Sequence, residues 1–408
     1  MNVFFNILGY EFKKILCKKR TAILIVLVVL LGAVSVFGTI IGNYYYTDES
    51  GNEIAVSRYE EEMTDRRYSE ELSGRVIDAD LIMEAVEAYR QVPINSSTRY
   101  TDTKEYRNIA RKYSEIYGIV SNTFGLKNIQ DFQNLTYEQA ERFDEVRIAN
   151  REYAIENSEI SENMKNYWKK CLDRSPEKLT YEYCGGYYRF VMIMYTTAIM
   201  AGAVIAIMIA GIFSGEYTSK MDSLILTLKH GKGLVIGAKL LAAFTVSAVL
   251  IILLTVISYA EAMTVWGTDG ADASLLMLRN IYPYNITVGQ SALLYSLCVL
   301  MACLMFSAIT SLLSAFFKTP FNTIVIMAFL LIVPMFISLP DELPVWLYTI
   351  ENLLPTNMMA YWGAMYELQY EIFGIIIPPY VFIPAFCAVI LCICIAGTFR
   401  IFKKHQVR

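Results

Sequence analysis

The stretch "LVIGAKLLAAFTVSAVLIILLTVISYA", Leu234 to Ala260, holds a single charged side chain, Lys239. About 20 predominantly apolar residues in a helix cross the ~30 Å hydrocarbon core of a bilayer, so this run reads as a membrane span. Five more runs share its character: Thr21 to Gly42, Phe190 to Phe213, Val288 to Phe317, Phe321 to Leu339 and Ile375 to Phe399. The composition agrees, with 408 residues of which 55% are hydrophobic and 18% charged. A mean hydropathy of +0.39 exceeds what a soluble core needs. The expected fold class is therefore all-α: a polytopic membrane protein of six transmembrane helices.

Orientation follows from bases in short loops and flanks. Lys13, Lys14, Lys18, Lys19 and Arg20 precede the first span, Lys220, Lys229 and Lys232 separate the second from the third, Lys318 follows the fourth, and Arg400, Lys403, Lys404 and Arg408 end the chain. Asp341 to Glu371 instead holds five acids and no base. The positive-inside rule puts both termini in the cytoplasm, with Lys239 close enough to that side to snorkel.

These assignments organise the chain. Residues 1–20 form an amphipathic interfacial helix, with Phe4, Phe5, Leu8, Phe12, Ile15 and Leu16 on one arc. Spans occupy 21–42, 190–213, 234–260, 288–317, 321–339 and 375–399. Residues 214–233 are a cytoplasmic loop, 340–374 an extracytoplasmic loop with a re-entrant character open to it, and 400–408 a cytoplasmic tail. The polar, tyrosine-rich stretch 43–189 is too long for a connector and reads as a helical extracytoplasmic domain inserted between the first two spans. In it, Asp102 with Glu105 and Thr136 with Gln139 propose capping boxes, and Ser175 with Pro176 and Glu177 proposes a short last helix. Cys171 and Cys184 bracket that last element, either as a disulfide or as two unpaired thiols.

Several kinds of chemistry are excluded. Intramembrane proteolysis or proton coupling needs His, Asp or Glu at bilayer depth, and the only histidines, His230 and His405, lie in cytoplasmic segments. No catalytic or metal-binding constellation is expected. Nor is there a G-x-x-x-x-G-K-[ST] loop, because Gly231-Lys232-Gly233 has the wrong spacing to cradle phosphates. The chain is expected to bind no cofactor of its own and to have no nucleic-acid partner. Ser307, Thr310, Ser311 and Ser314 make a mildly polar strip on span four that either lines a conduit or bonds back to its own helix. Gly202, Ala206 and Ala210 offer a small-residue face on span two.

In the loop between spans two and three, Met221, Leu224, Ile225 and Leu228 fall at i, i+3, i+4 and i+7. They give a two-turn helix one apolar face, which Ser219 or Asp222 can cap and Lys229, His230 and Gly231 can terminate. The order Phe213, Glu216, "LILTLKHGKG" and Lys239 resembles the ABC-2 type permeases, the membrane subunits of ATP-binding-cassette exporters. "YEFKKILCKKR" before span one and "ENLLPTNMM", Glu351 to Met359, fit the same pattern. Met221 stands where that family often has glycine, and Lys229 with His230 replace its usual proline turn.

The resemblance implies an export permease of the bacterial plasma membrane, moving an amphipathic, peptide or lipid-like compound. Its coupling element would comprise Glu216, Met221, Asp222, Leu224, Ile225, Leu226, Leu228, Lys229, His230, Gly231 and Lys239. The implied partners are two copies of a cytoplasmic ABC ATPase carrying the ATP and Mg, a second permease subunit, identical or related, and membrane lipid. A second class remains open: a non-transporting receptor or scaffold whose outer domain binds a ligand and signals inward.

Overall fold

The computed structural model describes residues 2–47, 52–94, 99–221, 233–278, 284–340 and 343–404. It is overwhelmingly helical, and its only sheets among the described residues are two short antiparallel hairpins. The chain divides into two compact units, 1–35 with 190–261 and 292–408, and 36–189 with 262–291.

Among the described residues, five helices are long and apolar enough to cross a membrane: Lys19–Ile40, Gly185–Thr218, Leu234–Trp266, Val288–Phe316 and Pro379–Lys404. The expected fifth span, 321–339, is shorter than its hydropathy indicated. Its α-helix is Pro320–Ile332, followed by the 3-10 turn Val333–Phe336. Pro334 has no N–H to continue the α ladder, and 17 residues rise only about 25 Å. The last span also starts later than its apolar pattern indicated. Ile375–Ile377 is a strand paired with Tyr370–Ile372, and the helix begins at Pro379, where a missing N–H costs nothing. The connecting pair Phe373 and Gly374 both have positive φ, as a type I′ turn requires.

In the first unit, helices meet through small residues and hydroxyls. A Cβ on Gly202 would lie 3.3 Å from the Leu331 side chain, and Ala206 and Ala210 are buried, so this small-residue face is used within the chain. Ser307, Thr310, Ser311 and Ser314 are fully buried and do not form an open strip. Thr310 and Ser311 donate to carbonyls one turn back, Ser307 accepts from Ser247 at 3.1 Å, and Ser314 donates to Ala210 at 2.6 Å. These hydroxyls bond between helices and back along their own helix. The 340–374 segment contains the short helices Val345–Glu351, Pro355–Met358 and Tyr361–Ala364.

The second unit is built around Ala79–Arg90, which buries Leu81, Ile82, Ala85, Val86 and Tyr89 against Ile116, Val120, Phe132 and Phe143. Asp78 starts this helix by accepting from the Leu81 N–H at 3.0 Å. The Thr136–Gln139 capping box forms, but it opens only Tyr137–Glu141, and separate helices Phe143–Glu156 and Glu162–Leu172 follow. Thr103, not Asp102, holds the start of the preceding helical stretch by accepting from the Tyr106 N–H. Tyr89, Tyr106, Tyr117 and Phe132 pack as one aromatic cluster.

The short helix expected after Ser175 is absent. Leu179 and Tyr181 exchange backbone hydrogen bonds with Gly74, Arg75 and Ile77, and the Arg147 side chain donates to the carbonyls of Pro176 and Glu177. Cys171 and Cys184 are separate buried thiols with no bridge. The connection after Leu234–Trp266 belongs to this second unit, where Ser274 bridges Thr287 and the Tyr284 ring meets Trp168 edge-on at 4.8 Å.

Candidate functional site

The second long helix does not run unbroken into the loop that follows it. Gly185–Ile209 ends in a turn at 210–213, and a separate helix, Ser214–Thr218, begins. Such a break leaves backbone donors without helical acceptors in a region that water does not reach. Ser314 of the Val288–Phe316 helix supplies them: its Oγ accepts from the N–H groups of Phe213 at 3.0 Å and Ser214 at 3.2 Å, while donating to the Ala210 carbonyl. One hydroxyl therefore braces the break from a neighbouring helix.

Glu216 follows in the short helix and is 6% exposed. Its Oε1 accepts from Lys239 Nζ at 2.7 Å and from Lys14 Nζ at 2.5 Å. Lys239 is completely buried and also donates to Glu11 Oε2 at 3.0 Å. Three elements thus converge on one ammonium: the N-terminal helix Asn2–Leu16 through Glu11 and Lys14, the Ser214–Thr218 helix through Glu216, and Leu234–Trp266 through Lys239. The snorkelling assigned to Lys239 is corrected accordingly, because two carboxylates satisfy it inside the protein. Burial alone would lower the pKa of Lys14, but its bond to Glu216 and the charges of Glu11 and Glu216 outweigh that and raise it. Nearby Lys18 moves down, through burial first and then repulsion from Lys14 and Lys239.

Aromatic packing closes the junction. The Lys239 ammonium lies 5.9 Å from the Phe213 ring centre, and Phe402 of the C-terminal helix packs on both Phe213 and Tyr217. Tyr217 donates to the Ala315 carbonyl at 2.9 Å. Two residues past the end of the short helix, Lys220 has a left-handed φ of 55°, and Met221 is exposed just beyond it. The segment entering the loop is thereby held on several sides.

Of the sequence-proposed coupling residues, Glu216 and Lys239 come together, and Met221 lies beside them in the chain. Asp222, Leu224, Ile225, Leu226, Leu228, Lys229, His230 and Gly231 lie outside the described residues. Glu11 was not singled out, although a signal for it exists. It is the only acid in the first 42 residues, and it falls at helical spacing with Phe4, Leu8 and Ile15, on the arc expected to be apolar. A carboxylate on a buried face requires a buried partner.

The family model described as "ABC-2 family transporter protein" matches residues 5–340, which contain every member of this junction except Phe402. The chain belongs to the ABC-2 transporter family. No curated protein and no solved structure matches it. As an ABC-2 family member it is a multi-pass membrane protein with a transport permease role, and the family partners with a separate ABC ATPase subunit.

Proposed function

We propose that this ABC-2 chain is the membrane half of an exporter, worked from the cytoplasm through the loop that follows Glu216. The observation that carries this reading is the sharing of fully buried Lys239 between Glu11 and Glu216. A lever transmits force only if its fulcrum is stiff, and a charged-group network in low dielectric resists separation far more than a solvated pair. The amphipathic stretch 221–231 is the part expected to dock on the ATPase. The break braced by Ser314 gives the second span a defined point about which its end can turn.

On this reading two copies of the ATPase carry ATP and Mg, a second permease subunit completes the complex, and both termini face the cytoplasm of a bacterial plasma membrane. The cargo class is amphipathic, peptide or lipid-like.

The experiment reconstitutes the chain with its ATPase in vesicles and compares wild type with Lys239→Met and Glu216→Gln. Permease-dependent stimulation of ATP hydrolysis is expected to fall at least about tenfold in both, with the ATPase still bound. Unchanged stimulation in both variants, at equal assembly, would sink the proposal.

A further inference from the structure

The second unit contains a cavity of about 480 Å³, within the range that holds small organic ligands. Its wall combines apolar surface from Ile119, Leu276 and Met277 with the rings of Tyr181 and Tyr188. Two arginines, Arg147 and Arg151, reach it from one helix, Phe143–Glu156. They are four residues apart and so share a face, where like charges repel.

Their environments make this pairing costly. Arg147 is 4% exposed and is held by Asp144 and by the carbonyls of Pro176 and Glu177, yet its Nη1 has no acceptor. The Nη1 of Arg151 is likewise buried without an acceptor, and no ion pair compensates that residue among the described residues. Burial first, and the neighbouring Arg147 second, depress the Arg151 guanidinium to about 10. Glu115 and Glu182 also line the cavity, so carboxylates were available nearby and were not placed on Arg151. Two guanidinium groups on the wall of one partly apolar cavity form a recognition element for planar or tetrahedral anions.

We infer that this cavity is a binding site for an organic anion, a carboxylate or phosphate ester with an apolar portion, held by the guanidinium groups of Arg147 and Arg151 while the apolar portion lies against Ile119, Leu276 and Met277. The site does not depend on the transport reading. It would equip the inserted unit to recognise a ligand whether that ligand is cargo or signal. Gly118 on the cavity wall offers a probe, because a Cβ there meets nothing within 4 Å.

The test is calorimetric titration of the purified full chain with phenylacetate, phenyl phosphate, neutral phenylacetamide, and acetate or inorganic phosphate alone. Saturable binding of at least one aryl anion is expected, with the neutral amide and the bare anions at least about tenfold weaker. The two aryl arms separate carboxylate from phosphate preference. Arg151→Met is expected to weaken the preferred anion at least about tenfold and Arg151→Lys less. Gly118→Trp is expected to abolish binding while the melting temperature holds, which separates occlusion from misfolding. Failure of both aryl anions to saturate, equal binding of the amide, or binding unchanged in both Arg151→Met and Gly118→Trp would overturn the site.

Discussion

Lys239 and Glu216, 23 residues apart in the chain, meet across 2.7 Å in a place where the lysine has no exposure at all. The contact fixes the two ends of the loop between the second and third long helices to each other, and Glu11 ties both to the N-terminal helix. Removing the ammonium would strand two buried carboxylates, with only Lys14 left to answer Glu216. Lys239→Met is expected to destabilise the chain by about 3 kcal/mol, and adding Glu11→Gln to recover part of that loss. Thermal unfolding of the purified protein in detergent reads both effects.

Ser314 makes a second, independent prediction. Ser314→Ala leaves the Phe213 and Ser214 N–H groups buried without an acceptor, for an expected loss of about 2 kcal/mol. Ser311→Ala, which removes only a back-bond to Ser307, is expected to cost well under half as much. Equal losses in the two variants would show that the helix break is not braced by the Ser314 side chain.

Arg151 should limit stability. Its folded pKa, about 10, lies below the ordinary 12.5, so the penalty for keeping it charged is fully present below about 10 and fades as pH rises from there towards 12.5. Arg151→Met is expected to raise stability by on the order of 1 kcal/mol at neutral pH, allowing for solvent screening. The advantage should narrow above about pH 10, as a pair of melting curves at neutral and alkaline pH would reveal.

The cysteines give a chemical readout. Burial pushes the Cys184 thiol up to about 12. At mildly alkaline pH it therefore carries on the order of a thousandfold less thiolate than an ordinary cysteine. Iodoacetamide is expected to label exposed Cys17 in the folded protein and Cys184 only after denaturation. A non-reducing digest should contain no peptide linking Cys171 to Cys184, and finding that peptide would contradict the structure.

Much of the fold was legible because bilayer crossing imposes a strong, local requirement on hydropathy and length. The sequence pattern failed where a local signal competed with a tertiary one. Ser175-Pro176-Glu177 has the chemistry of a helix start, but Arg147 occupies the carbonyls of Pro176 and Glu177, and the following strand-like stretch bonds to 74–77. Ile375 to Ile377 is apolar enough for a span, yet the Phe373-Gly374 turn folds it back as a strand.

At the junction, Glu216 and Lys239 were visible as charges flanking apolar runs. What the sequence could not reveal was Glu11 as their third partner, because that depends on how the N-terminal helix docks. The residues 262–291 were similarly opaque: nothing local in them announces that they fold with a domain inserted some seventy residues earlier in the chain.

The most direct measurement of the central claim is isolation of the tagged full chain from its native membrane, followed by mass spectrometry and an ATPase assay. The account predicts a P-loop ATPase subunit bound to the wild type and lost when Leu224 and Leu228 are both changed to Asp, with no hydrolysis by the chain alone. Isolation without any ATPase, or ATP hydrolysis by the purified chain itself, would contradict it.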